Sequence, residues 1–226
     1  MSKLLVVGGT GFIGYHVIKE AIRRKWKVTS VSLNKPKQIR RLRNVNYIQV
    51  NTINLNKLKK KLKFNFDFIV NAGGYGKHPG FNKSGKKLFD THYRGLINLV
   101  KIFSKKKIKK FIQLGSSAEY GNASGPQNEK SKCFPKTPYA LAKLSCTNFL
   151  QNLSKIKDFP CTILRLFLVY GPNQDQNRIL PQVIKNCLHD KKFPITKGEQ
   201  YCDFCYIDDV VNAIFKSLIS QKSNGE

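Results

Sequence analysis

A doubly wound α/β fold, built on a parallel sheet and followed by a small C-terminal lobe, is the architecture this sequence predicts. Three observations carry the prediction. Short apolar runs alternate with helix-patterned stretches along most of the 226 residues, the pattern of a parallel sheet covered by helices on both faces. Several runs, such as Leu4-Leu5-Val6-Val7, are apolar throughout, as strands buried on both faces are. The third is Gly9-Thr10-Gly11-Phe12-Ile13-Gly14, placed where the first strand should turn into the first helix.

In chain order, strands are expected at 3–7, 27–32, 47–50, 66–71, 110–114 and 162–167, with helices over 12–24, 55–62, 86–104 and 139–156. Thr137-Pro138 opens the last of these helices with a capping hydroxyl and a proline at the first helical position. After Gly171-Pro172 the pattern changes: helices at 179–188 and 209–220 flank an extended piece over 202–207. Asp208-Asp209 places carboxylates at a helix start, which reads as a cap and not as a catalytic dyad. The expected division is a sheet domain over 1–170 and a partial lobe over 171–226. No repeat and no long linker interrupts the chain.

The glycine turn has a chemical meaning. A tight turn between a buried strand and a helix lets the backbone approach a diphosphate, and the helix N-terminus offers that anion unpaired N–H groups and a positive dipole end. A Cβ would block either the positive φ or the approach. The string alone is common, but its strand–turn–helix setting points to a dinucleotide.

A formal net charge of +28 raises nucleic acid as a partner. The lysines, however, are dispersed or sit in runs such as Lys59-Lys60-Lys61 and Lys105-Lys106-Lys107 near expected helix ends, where cations suit the dipole. A solvated basic surface that favours anionic substrates is expected, with no nucleic-acid partner. Six cysteines (133, 146, 161, 187, 202, 205) show no metal-type pairing. Cys202 and Cys205 fall in an extended piece, where residues three apart point to opposite faces, so they read as free thiols of a reducing compartment. The four histidines form no metal-binding array. No apolar stretch reaches a membrane span, and the first strand begins too close to Met1 for a leader. A cytoplasmic protein without a membrane partner is expected.

Tyr139-Ala-Leu-Ala-Lys143 puts a phenol and an ammonium four residues apart on one helix face. A neighbouring cation favours the phenolate and turns a tyrosine into a usable acid or base. Upstream, Leu114-Gly115-Ser116-Ser117 ends an expected strand. Ligand sites of parallel sheets lie at such C-terminal strand ends, so hydroxyls there could meet the phenol.

Together these residues make the chain resemble the extended short-chain dehydrogenase/reductase family, in its nucleotide-sugar epimerase/dehydratase group. The likeness runs in order through Gly8-x-x-Gly11-x-x-Gly14, Asn71-Ala72-Gly73, Gly115-Ser116-Ser117-Ala118-Glu119-Tyr120-Gly121, Tyr139-xxx-Lys143, 165–172 and 203–210. The resemblance implies a Rossmann domain and hydride exchange between a nicotinamide ring and a sugar carbon. It implies that Tyr139 exchanges a proton with the sugar oxygen, that Lys143 assists it and binds the nicotinamide ribose, and that Ser116 bonds the substrate oxygen. Gly8, Gly11, Phe12, Ile13 and Gly14 would line the diphosphate, and Asn71, Ala72 and Gly73 the adenosine half, with Leu114 beside the coenzyme. Ser117, His78 and Arg178 would meet the substrate. The two long helices, 86–104 and 139–156, would form a homodimer.

Departures narrow the reaction. Sugar 4,6-dehydratases carry adjacent Asp-Glu after the catalytic hydroxyl; here those positions are Ser117 and Ala118, with Glu119 one position late. A dehydratase is therefore disfavoured. Gly74-Tyr75-Gly76-Lys77-His78, His92, 181–184 and 198–200 resemble the abequose- and paratose-type branch. That likeness implies reduction of a CDP- or dTDP-linked 4-keto-6-deoxyhexose for surface polysaccharide such as lipopolysaccharide. A 4-epimerase remains an alternative, as does a cofactor-binding non-enzyme, because relatives continue past a point like Glu226 into more of the sugar-nucleotide lobe. At the end of the second strand, Ser32 and Asn34 stand where NAD enzymes place an acid. With Lys35, Lys37, Arg40 and Arg41 following, the expectation is NADP, with NAD as the alternative. Asn51 replaces an adenine-contacting Asp, and an amide can still hydrogen-bond there. Cys202 stands where the family often has an arginine, a gap that Lys197 or Arg178 would fill.

Overall fold

The structure, a computed structural model, describes residues 1–74, 80, 82, 84–123, 125–195, 197–199 and 201–226. His78 and its neighbours Tyr75, Gly76 and Lys77 lie outside the described residues, as does Gln200. Six parallel strands form the main sheet in the order β3-β2-β1-β4-β5-β6: β1 Lys3–Val7, β2 Lys27–Ser32, β3 Val45–Gln49, β4 Phe68–Asn71, β5 Lys110–Leu114 and β6 Cys161–Leu164. The strand order reverses between β1 and β4, and the crevice at the carboxyl ends there is where such sheets bind ligands.

Side-chain alternation explains the layers. Leu5, Val7, Ile69 and Phe111 point to one face and pack with α2 (Leu55–Lys61), α3 (Gly85–Phe103) and α4 (Pro138–Lys157). Leu4, Val6, Val70 and Ile112 point to the other and pack with α1 (Phe12–Arg23) and α6 (Ile207–Ile219). Both faces of β1 and β4 are buried, so these strands are apolar at successive positions, as expected of several strands from the sequence. Thr137 Oγ1 accepts from the Ala140 amide at 3.1 Å, and Pro138 is the first residue of α4.

The expected strand at 162–167 ends early, at Leu164, and 165–167 lie outside any strand. After β6 the chain turns at Arg165, whose guanidinium reaches the buried Glu119 carboxylate. It then forms β7 (Leu168–Tyr170), which leaves the main sheet and pairs in parallel with β8 (Phe204–Tyr206). Between β7 and β8 lies α5 (Ile179–Leu188), none of whose residues is buried. Asp208 and Asp209 fall in the first turn of α6, where carboxylates suit the dipole, while the capping position is Tyr206. The C-terminal segment is tied to the edge of β6. Gly225 donates to the Cys161 carbonyl at 2.8 Å, and buried Lys110 donates to the Ser220 carbonyl, Ser223 and Asn224. Among the described residues no helix is long and apolar enough to cross a membrane.

Candidate active site

The glycine turn is built as a cradle. Gly8 adopts φ +78°, and a Cβ there would lie 2.6 Å from the Ala72 carbonyl oxygen. A Cβ on Gly14 would lie 2.3 Å from the Gly8 carbonyl oxygen, so α1 can approach β1 this closely only without a side chain. Gly11 is the capping residue of α1 and supplies no side-chain cap. Gly11, Phe12, Ile13 and Gly14 line a cleft of about 940 Å³. Uncapped helix N–H groups beside a cradle that a Cβ would fill suit an anionic dinucleotide diphosphate. The residues present therefore fit a nicotinamide dinucleotide.

Ala72, Gly73, Leu114, Ser116, Ser117, Tyr139, Lys143 and Arg178 line the same cleft. Asn71 is buried beneath it: its amide donates to Gln113 Oε1 at 2.8 Å and its oxygen accepts from the Gly73 amide at 3.2 Å. Asn71 thus shapes the loop that Ala72 and Gly73 present. Lys143 is buried, its ammonium donating to the Leu114 carbonyl at 2.7 Å and lying 5.7 Å from the Tyr139 ring centre. The His92 and Tyr139 rings meet nearly perpendicular, 5.4 Å between centroids. Ser116 caps a short 3₁₀ turn, Ser117–Tyr120, its Oγ accepting from the Ala118 amide at 3.2 Å.

Other expected residues stand apart. Gly8 lies under the turn, Ser32 Oγ accepts from the Thr10 amide at 3.2 Å, and Asn34 and Lys35 are exposed beyond the cleft wall. Asn51 lines a separate shallow concavity with Ile53, Asn54, Leu55 and Asn56, and its oxygen accepts from the Ile53 amide at 3.0 Å.

Two of the cations expected beside a 2′-phosphate are engaged elsewhere. Arg40 is 5% exposed and donates to the Asn173 carbonyl at 2.6 Å and to Asp175 at 3.1 Å. Lys37 reaches the same carboxylate at 3.4 Å. These two cations hold the loop after β7, which leaves Lys35 and Arg41 of the original four.

Two features take on roles that the sequence did not show. His16 on α1 bonds the Pro172 carbonyl at 2.9 Å, and burial pushes its imidazole pKa below the usual value. Glu119 is fully buried and absent from the cleft lining. It accepts from the Ser116 amide at 2.8 Å in a capping box, so the Ser-x-x-Glu spacing was its signal. The acids that do line the cleft are Asp175 and Asp203. Among the described residues no cluster of three or more His, Cys, Asp or Glu is placed to hold a metal ion.

A glycine cradle thus opens onto a phenol–ammonium pair and a serine-capped turn at the carboxyl ends of a doubly wound parallel sheet. The sequence profile of the NAD dependent epimerase/dehydratase family matches residues 4–226, and the chain belongs to that family. It is 26% identical over 94% of its length to a dTDP-D-glucose 4,6-dehydratase of Dictyostelium discoideum, and spans 54% of that protein. An uncharacterized UDP-glucose epimerase of Bacillus subtilis is 27% identical over 94% of this chain and 71% of its own. Among solved structures, a UDP-glucuronic acid 4-epimerase of Bacillus cereus in complex with UDP-glucuronic acid and NAD superposes with a TM-score of 0.85. It is 26% identical, over 98% of this chain and 74% of that one. The UDP-glucose 4-epimerase of Thermotoga maritima, with UDP-glucose, gives 0.85 and 25% over 93% and 71%.

Proposed function

We propose that this chain catalyses hydride exchange at a carbon of a nucleotide-linked sugar, with Tyr139 as the proton donor and acceptor. The observation that carries this reading is the shared cleft: the dinucleotide cradle, Ser116, Tyr139 and Lys143 all open onto it. A nicotinamide coenzyme supplies the hydride acceptor or donor when bound. Tyr139 moves a proton at the sugar oxygen, and buried Lys143, its ammonium 5.7 Å from the Tyr139 ring centre, binds the nicotinamide ribose. Ser116 Oγ holds the same oxygen, and Ser117 and Arg178 meet the substrate. Residues 1–170 carry coenzyme and triad in this reading, and 171–226 contribute to the nucleotide-sugar side.

The finer reading is reduction of a CDP- or dTDP-linked 4-keto-6-deoxyhexose for surface polysaccharide, after the abequose- and paratose-type likeness. Glu119 is buried away from the cleft, which supports a reaction without water loss. The epimerases among the relatives support a second reading, a 4-epimerase that regenerates its coenzyme. Net consumption of reduced coenzyme with a 4-keto sugar nucleotide identifies the reductase; interconversion of 4-epimers without consumption identifies the epimerase. For the coenzyme, NADP is supported by Lys35, Arg41 and the missing acid at the end of β2, NAD by the family and its relatives. Titration of both decides: NADP binding tenfold tighter sustains the first, and the reverse order assigns NAD. A homodimer through α3 and α4 belongs to the same proposal and is read by sedimentation. Should Tyr139→Phe retain full turnover, the assigned role is wrong.

A further inference from the structure

The geometry points to Glu119 as a positioning residue that locks Ser116 to the helix carrying Tyr139 and Lys143. This rests on the proposed roles of those residues. Glu119 has no exposed surface, and its carboxylate joins three elements that are far apart in sequence. Oε1 accepts from the Ser116 amide at 2.8 Å. Oε2 accepts from Thr147 Oγ1 at 2.8 Å and from Arg165 Nε at 3.1 Å. Tyr139, Lys143 and Thr147 follow one another along α4 at intervals of one turn, on one side of the helix. The hydroxyl that grips the carboxylate therefore stands on the stripe that carries the phenol and the ammonium. Arg165, at the end of β6, completes the site and also reaches the Tyr120 hydroxyl at 3.3 Å.

The chemistry of the carboxylate explains the choice of residue. An ionised carboxylate only accepts, and here its partners are an amide N–H, a hydroxyl and a guanidinium, all of which can donate. A buried network with every member satisfied is rigid, whereas a partly satisfied one is costly. With Lys143 bonded to the Leu114 carbonyl at 2.7 Å, two polar ties join α4 to the strand end that leads into Ser116. One sits a single turn beyond Tyr139 and the other two turns beyond. Together they fix the separation of Ser116 and Tyr139 before any ligand arrives. The Glu119 carboxylate, one position after those of the dehydratase pattern, is a brace facing inward.

The test uses the full chain with CDP- and dTDP-linked 4-keto-6-deoxyhexoses and both reduced coenzymes, and with UDP-linked 4-epimers for the second reading, and compares wild type with Thr147→Val, Thr147→Ser and Glu119→Gln. Thr147→Val keeps the shape and removes the donor. Glu119→Gln presents an NH₂ to a guanidinium that cannot accept. Thr147→Val and Glu119→Gln are expected to lose about tenfold to a hundredfold in kcat, the scale of a small misplacement of reacting groups. KM and the NADH dissociation constant stay within about threefold, and Thr147→Ser restores kcat. If Glu119→Gln fails to fold, the Thr147 pair alone decides. An unchanged kcat in Thr147→Val, or a loss that Thr147→Ser does not rescue, overturns the positioning role while the proposed function stands. A wild type without turnover of any sugar nucleotide overturns both.

Discussion

Gly14 and Gly11 sit three residues apart in one turn, yet alanine should act on them in different ways. At Gly14 the added Cβ would meet the Gly8 carbonyl oxygen at 2.3 Å and Gly9 Cα at 2.8 Å, both backbone atoms. Ordinary contact begins near 3.4 Å, so α1 and β1 must separate by about 1 Å, an overpacking of about 1–3 kcal/mol. For a domain of this size that lowers Tm by roughly 2–12 °C. At Gly11, among the described residues, the near atom is the Gly8 oxygen at 3.2 Å, a contact that a shift of a few tenths of an ångström relieves, and φ is −80°, which any residue adopts. Gly11→Ala should therefore melt within about 2 °C of wild type, since a substitution without a buried clash stays within about 0.5 kcal/mol. It should nevertheless weaken NADH binding by about tenfold or more, because its methyl group enters the space where the diphosphate approaches. Differential scanning fluorimetry and a fluorescence titration of NADH measure both quantities. Equal melting temperatures for the two variants would refute the packing argument. Unaltered NADH affinity in Gly11→Ala would refute the placement of the diphosphate.

Arg40→Met should free the loop at 172–175, losing its bonds to Asn173 and Asp175 and destabilising the fold by about 1–3 kcal/mol. Because that guanidinium faces the loop, the ratio of NADP to NAD affinity should not change in Arg40→Met, whereas it should fall in Lys35→Ala if the 2′-phosphate reading holds. His16 has its pKa lowered by burial, so the folded state holds the proton less readily than the unfolded chain. Its contribution to stability is complete above the unfolded value of 6.5 and is lost as pH falls through the depressed folded value. Urea unfolding should show a fall in stability below about pH 6.5 that His16→Gln reduces; an identical slope in the variant counts against a buried neutral imidazole.

What the sequence disclosed depended on how local each cause is. The glycine turn was legible because the clash that forbids a Cβ involves neighbours such as Gly8 and Gly14. Strands such as β1 and β4 were legible because burial on both faces leaves continuous apolar runs. Arg40 was misread for the opposite reason: its partners Asn173 and Asp175 are more than a hundred positions away, and nothing around residue 40 announces them. Glu119 was half legible. Its bond to Ser116 follows from a three-residue spacing, while Thr147 and Arg165 join it only once α4 and β6 have packed.

The reading as a whole is tested most directly by a single-turnover measurement. Protein loaded with nicotinamide coenzyme is mixed with a sugar nucleotide, and the absorbance of the reduced ring is followed in wild type and in Tyr139→Phe. A spectral change in the wild type that is slower by about a hundredfold or more in the phenylalanine variant is the predicted result, the scale of a lost acid–base group. Equal rates in the two proteins, or a coenzyme that never changes its redox state with any sugar nucleotide, would contradict it.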